Sequence, residues 1–277
     1  MAVAAVLLGG GAVGCGGEAG GESGTEDLAK LAPAAAMEKV AEESEGITSL
    51  RYRVTGTVPE KGSLRAEASM KAKPAAMTMV MTLAGARKGQ LDIRFIDEAI
   101  YLGGSGIDSS KLGGKGWVRA SPAVWGRGAA DNKSYGVLPR SLEVSPVVQS
   151  TFLAGSQDVR RVGTETVDGA KAVHYRGTVT SRELRAAQSA DKGKDAWDAR
   201  TERVDQFVNL GIDGTLTMDL WVDGDDHPKQ FRVQGKTYPT QNDTDDGTLD
   251  LTVTFLDINQ KVTVKAPPAD DTTELGG

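Results

Sequence analysis

The chain has 277 residues, 39% hydrophobic and 25% charged, which is enough apolar material for one large domain or two small ones. A formal net charge of −6 excludes nucleic acid as a partner, because phosphate neutralisation needs clustered lysine and arginine. One cysteine excludes an intramolecular disulfide and any multi-cysteine metal site, while 35 glycines against 5% aromatics point to many turns and a β-rich chain.

The opening, "MAVAAVLLGGGAVGC", is apolar up to Leu8 and small-residued from Ala12 to Gly14. It resembles a secretory signal peptide without its basic n-region, so the translation start is expected upstream. "AVGC" is similar to a bacterial lipobox, in which the cysteine is diacylated and becomes the first residue of the mature protein. Residues 1–14 are therefore expected to be signal peptide, and Cys15 a lipidated anchor. Residues 16–25, rich in Gly, Ser and Glu, read as a flexible tether. Two or three acyl chains hold a protein at a membrane stably, where one does not.

Residues 26–46 predict a helix with Leu28, Leu31, Ala35 and Val40 on one stripe, its regular part starting near Pro33. After Gly46 the apolar period becomes two. "ITSLRYRVTGTV", "SLRAEASMKAK", "MTMVMTLA" and "QLDIRFI" predict four strands of an antiparallel sheet that is wet on one side. A Gly/Ser loop follows, then a helix after Pro146. "DVRRVGTETV" and "KAVHYRGTVT" predict a hairpin turning at Asp168-Gly169. Residues 181–209 read as helical, with Trp197, Val204, Phe207 and Val208 as apolar contacts. The segments "GTLTMDLWVD", "PKQFRVQGKTY", "GTLDLTVTFLDI" and "KVTVKAP" predict four closing strands, and the tail 267–277 reads as disordered.

The expected architecture is α+β: a large curved antiparallel sheet of about ten or eleven strands, a half-barrel in residues 26–266, covered on its concave face by a few helices. So few helices over so much sheet imply an incompletely filled interior. Strand alternation turns Met77, Met79, Met81, Leu83, Leu91 and Ile93 inward from the first half. From the second half it turns in Leu216, Met218, Leu220, Phe231, Val233, Leu249, Leu251, Val253 and Phe255. Methionine is flexible and polarizable, which suits a surface that adapts to apolar ligands, and equally suits ordinary core.

Catalytic motifs are lacking. No serine stands in a G-x-S-x-G context, and "GGSG" and "GGKGW" match neither phosphate-loop nor dinucleotide patterns. His174, on a polar strand face, reads as a surface residue. The acidic turns "DGDDH" (223–227) and "NDTDDG" (242–247) lack the spacing and closing glutamate of a calcium loop, so they read as tight turns. No enzyme activity, metal or cofactor is expected.

Two stretches carry a family resemblance. In "VGTETVDGAKAVHYRGTV", Gly163, Glu165, Val167, Gly169, His174 and Tyr175 fit one pattern, and in "LWVDGDDHPKQFRV", Trp221, Val222, Asp223 and Pro228 fit another. Together they resemble the LppX/LprG-type actinobacterial lipoproteins. The resemblance implies a half-barrel similar to the carriers LolA and LolB. It also implies binding of acylated lipid or glycolipid at the outer face of the plasma membrane, with the membrane itself engaged through Cys15. The rival reading is a regulatory module on the same scaffold, resembling RseB-type envelope-stress proteins. It would contact a membrane-protein partner through the loop "GGKGWVRASPAVWGRG", with Trp117, Arg119, Trp125 and Arg127 as anchors.

Overall fold

The computed structural model describes residues 20–59, 62–84, 89–121, 145–190, 194–238 and 247–275. Among the described residues, twelve strands form one sheet in the order β12-β6-β5-β4-β3-β2-β1-β11-β10-β9-β8-β7. In chain order these are β1 (Ser49–Val58), β2 (Gly62–Lys71), β3 (Ala76–Ala84), β4 (Gly89–Ile96), β5 (Ala99–Gly103) and β6 (Trp117–Ala120). The second set is β7 (Arg160–Val167), β8 (Ala170–Thr180), β9 (Thr215–Val222), β10 (Pro228–Lys236), β11 (Thr248–Ile258) and β12 (Thr272–Glu274). Every ladder is antiparallel except β12 on β6, and the sheet does not close, leaving β7 and β12 as its edges. The fold is an α+β half-barrel.

Among the described residues the helices are α1 (Gly20–Lys30), α2 (Pro33–Ser44), α3 (Pro146–Ser150), α4 (Ser181–Ala190) and α5 (Lys194–Asn209). A 3₁₀ turn, Phe152–Gly155, continues α3. Pro33 occupies the first turn of α2, where its missing N–H costs nothing, so the helical stripe divides at this residue as its chemistry requires. Ser145 caps α3, its Oγ accepting the Val147 N–H at 3.2 Å. Among the described elements, α1 and α4 pack on β8, α3 packs on β10, and the 3₁₀ turn packs on β8, α2 and α4. One apolar cluster fills the interior and includes Tyr175, Phe152, Phe231 and Phe255, each no more than 1% exposed.

The hairpin at Asp168-Gly169 forms as expected, with φ of 49° and 81° at the two turn residues, the left-handed pair that matches strand twist. Four expectations are corrected. First, Gly20–Thr25, read as tether, lies in α1, and Thr25 is buried. A Cβ on Gly24 would overlap the Gly224 carbonyl, so glycine here permits close helix-to-turn contact rather than flexibility. Second, the domain extends past 266. Thr272–Glu274 pairs with β6, and the Leu275 N–H donates to the Arg119 carbonyl at 2.7 Å, so the tail is ordered through 275. Third, "KVTVKAP" is not a strand. Its half-buried Val262 and Val264 lie against the sheet instead of joining the ladder, a placement that also alternates. Fourth, β5, β6 and β12 bring the count above ten or eleven. These strands are short, which leaves too few residues for a period of two to register.

Charge sets a pH window for stability. The Thr178 N–H holds the Asp158 carboxyl below the usual range, and the Arg232 guanidinium does the same for Asp250. Depressed carboxylates favour the folded state only while ionised, so their contribution is present above about pH 4 and lost as pH falls further. Burial pushes the Tyr175 phenol up to about 12 and raises that of Tyr52 as well. These favour the fold below about pH 10, and their contribution is lost as pH rises through the folded-state values. A urea-unfolding midpoint measured against pH is expected to plateau between about pH 5 and 9 and to fall on both sides.

Candidate functional site

Met77, Met79, Met81 and Ile93 are buried in the inner cluster, as are Leu216, Met218, Leu220, Phe231, Val233, Leu249, Leu251, Val253 and Phe255. Leu91 is half-buried against it, and the side chain of Leu83 lies outside the described residues. Register explains the methionines. Met79 faces Ala68 on β2 and Ile93 on β4, while Met81 faces Ala66 and Leu91. Long unbranched side chains thus fill the room left by alanines.

Facing is as expected, and among the described residues α3 lies close over the middle of the concave face. The concave surface beside Tyr52, Val54, Phe231, Val233, Leu251 and Val253 holds a void of only about 10 Å³ beneath Pro146 and Gln149 of α3. That is room for about one water molecule. Alternation reports which face a side chain takes; it does not report how well the helices fill the space above it.

A larger space lies at one end of the sheet. A pocket of about 340 Å³ has Leu50, Met70 and Ala72 as its floor, where β1 begins and β2 ends. Leu50 and Met70 are register partners and both are buried. Its walls come from the end of α2 at Ala41, Ser44 and Glu45, from Val147, Val148 and Thr151 around α3, and from Glu202 and Arg203 of α5. The hydroxyls of Ser44 and Thr151 donate to the Val40 and Val148 carbonyls, at 2.6 and 2.8 Å, so both turn back onto their own chain. The pocket therefore pairs an apolar floor with a rim carrying Glu45, Glu202 and Arg203. Its volume lies within the range of about 300–1,000 Å³ usual for small-molecule sites. It is built from element ends, to which periodicity is blind.

The expected partner loop is only partly described; Trp125 and Arg127, like Cys15, lie outside the described residues. Trp117 and Arg119 are not in a loop but on strand β6, opposite Gly103 and Tyr101. Arg94 stacks 4.6 Å from the Trp117 ring centroid, and Arg119 donates to Glu274 at 3.1 Å. Both side chains are half-buried and make these contacts within the chain.

His174 is not a free surface residue; it is 7% exposed. Its Nδ1 lies 2.8 Å from Glu165 Oε1 on β7, and its Nε2 lies 2.8 Å from Asp219 Oδ1 on β9. The ring stacks on Trp221 at 4.3 Å, and Trp221 Nε1 donates to the second Glu165 oxygen at 2.9 Å. Those bonds, with Trp221 first, hold the Glu165 carboxyl below its usual range. With each ring nitrogen against a carboxylate, neither is open to a substrate. Glu165, His174 and Trp221 are thus brought together from the two separate stretches that carry the family resemblance.

In the turn 223–227, Asp223 Oδ1 accepts the N–H groups of Asp225 and His227, both at 3.0 Å, and burial raises its carboxyl. Asp226 pairs with Lys39 of α2. Asp223, Asp225 and His227 offer ligand atoms within 4.8 Å of one another, yet these bonds are those of a tight turn docked on a helix. Of the second acidic turn, 242–246 lies outside the described residues.

No protein-family model matches the chain. A Streptomyces griseus protein, described as an uncharacterized 31.2 kDa protein of the rplA-rplJ intergenic region, is 29% identical over 271 residues, covering 90% of this chain and 81% of its own. A Streptomyces coelicolor protein provisionally named a lipoprotein is 23% identical over 190 residues, and the chain spans about half of its length, 51%. Among solved structures, the chain is similar to the Mycobacterium tuberculosis lipoprotein LppX, with 15% identity, a TM-score of 0.48, and coverage of 84% of this chain and 97% of LppX.

Proposed function

We propose that the protein binds an acyl chain of a lipid or glycolipid in the pocket between α2, α3 and the β1–β2 floor, and carries or chaperones that lipid. It would do so at the extracytoplasmic face of the plasma membrane, held there by acylated Cys15. The observation that supports this reading is the pocket's chemistry: a floor of Leu50 and Met70 with valine walls, opening at a charged rim. An acyl chain gains about 0.8 kcal/mol for each methylene moved from water onto such a floor. Its polar head then remains at the rim, where Arg203, Glu45 and Glu202 stand. The reading needs few directed polar groups and no reactive ones.

Native mass spectrometry of the full chain, expressed in a lipid-rich host and followed by organic extraction, tests this reading. The expected result is a co-purifying acylated lipid in about one-to-one ratio. A clean apo mass, still clean after incubation with membrane lipids, would count against it.

A further inference from the structure

The chain leaves β11 at a turn and re-enters the sheet only at β12, beyond β6. Between them it runs as a strap over the face turned away from the core. The strap is tied at its start, where Asn259 Oδ1 accepts the Thr48 N–H at 2.8 Å. Arg94 donates to the Lys265 carbonyl at 2.8 Å along its course, and Lys115 donates to the Asp270 carbonyl near its end. Beneath its first part, one cross-strand row runs Asp257, Arg51, Ser69, Thr78 over β11, β1, β2 and β3. Strap and row enclose a second pocket, of about 320 Å³.

The lining of this pocket differs in kind from that of the first. It carries two cations, Arg51 and Lys261, and the hydroxyls of Ser69, Thr78 and Thr263. Its carboxylate, Asp257, is already placed 3.2 Å from the Arg51 guanidinium. Lys261 has no ion-pair partner among the described residues. The pocket is therefore net cationic and rich in donors on a chain whose net charge is −6. Cationic nitrogens and hydroxyls converging on one space suit tetrahedral oxyanions, which accept several charge-assisted hydrogen bonds at once.

We propose that this pocket is a binding site for a phosphate group, either free or on the head group of a lipid. It stands independently of the acyl pocket, although Leu50 borders both, so the two openings share one end of the sheet. The full chain is titrated calorimetrically with inorganic phosphate at low ionic strength. In a parallel arm it is co-sedimented with phosphatidylcholine vesicles with and without phosphatidylglycerol. Lys261→Gln and Thr78→Val are each expected to weaken binding at least tenfold, while Lys111→Gln, an exposed lysine elsewhere, leaves it unchanged. Each variant's melting curve shows that it is folded. Variant-sensitive binding of inorganic phosphate assigns a free anion, and variant-sensitive binding of phosphatidylglycerol vesicles alone assigns a lipid head group. No binding of either probe, or binding that Lys261→Gln and Thr78→Val leave intact, overturns the proposal.

Discussion

Replacing Ala72 by Trp is expected to weaken binding of a fluorescent long-chain fatty acid about a hundredfold while leaving the fold intact. Ala72 is exposed and lies on the floor of the 340 Å³ pocket, so an indole there occupies ligand space rather than core. Displacing three or four methylenes costs about 3 kcal/mol at roughly 0.8 kcal/mol each, which is close to two decades in Kd. Val80→Trp, on an exposed position of β3, is the control and should bind as the parent does. Core methionines make poorer tests. Met79 and Met218 are no more than 1% exposed, and a Trp at either would overpack the interior and confound lost binding with lost structure. Equal affinity in Ala72→Trp and the parent would remove the pocket from the account.

His174→Ala is expected to lower stability by about 3 kcal/mol, seen as a fall in Tm of roughly 6–10 °C. The loss arises because the Asp219 carboxylate, only 7% exposed, loses the 2.8 Å bond to the ring and is left with more distant cations, Arg176 at 3.8 Å and Arg232 opposite it on β10. Removing one member of a buried charged network costs more than the network's net worth, since the other member stays desolvated. His174→Phe separates packing from hydrogen bonding. It retains the stack on Trp221 yet should not restore stability, because both carboxylates still lack the imidazole nitrogens. Glu165→Gln should cost less than about 1 kcal/mol, as Glu165 is 48% exposed and water can replace part of what is lost. Recovery of full stability in His174→Phe would show that stacking alone accounts for the site.

Much of the fold was legible because one face of the sheet is buried and the other is wet. That asymmetry writes itself as period two, and Met77, Met79 and Met81 turned inward as the pattern required. Pro33 and Asp168-Gly169 were legible for a different reason: each residue type fits only a narrow range of backbone geometry. The strap at 261–267 misled because any extended segment lying flat on a surface alternates, whether or not it pairs. Gly24 misled because glycine serves both flexibility and close approach, and only the position of Gly224 decides between them.

The sites were less legible. Glu165, His174, Asp219 and Trp221 converge because β7, β8 and β9 are neighbours in a particular register, with partners as far as 56 positions apart in sequence. The available signal was the family resemblance, which already contained three of the four. The two pockets both lie where elements end, and their linings come from four or more segments each. Neither leaves a local motif, so both had to be read from the fold.

The most direct test of the central claim is photocrosslinking of the full chain with a lipid carrying a diazirine near the end of its acyl chain, followed by peptide mapping. The account predicts adducts on Leu50, Met70, Val147 or Val148, suppressed by excess unlabelled lipid and by Ala72→Trp. Adducts confined to the outer face of the sheet, or a pattern that Ala72→Trp leaves unchanged, would contradict it.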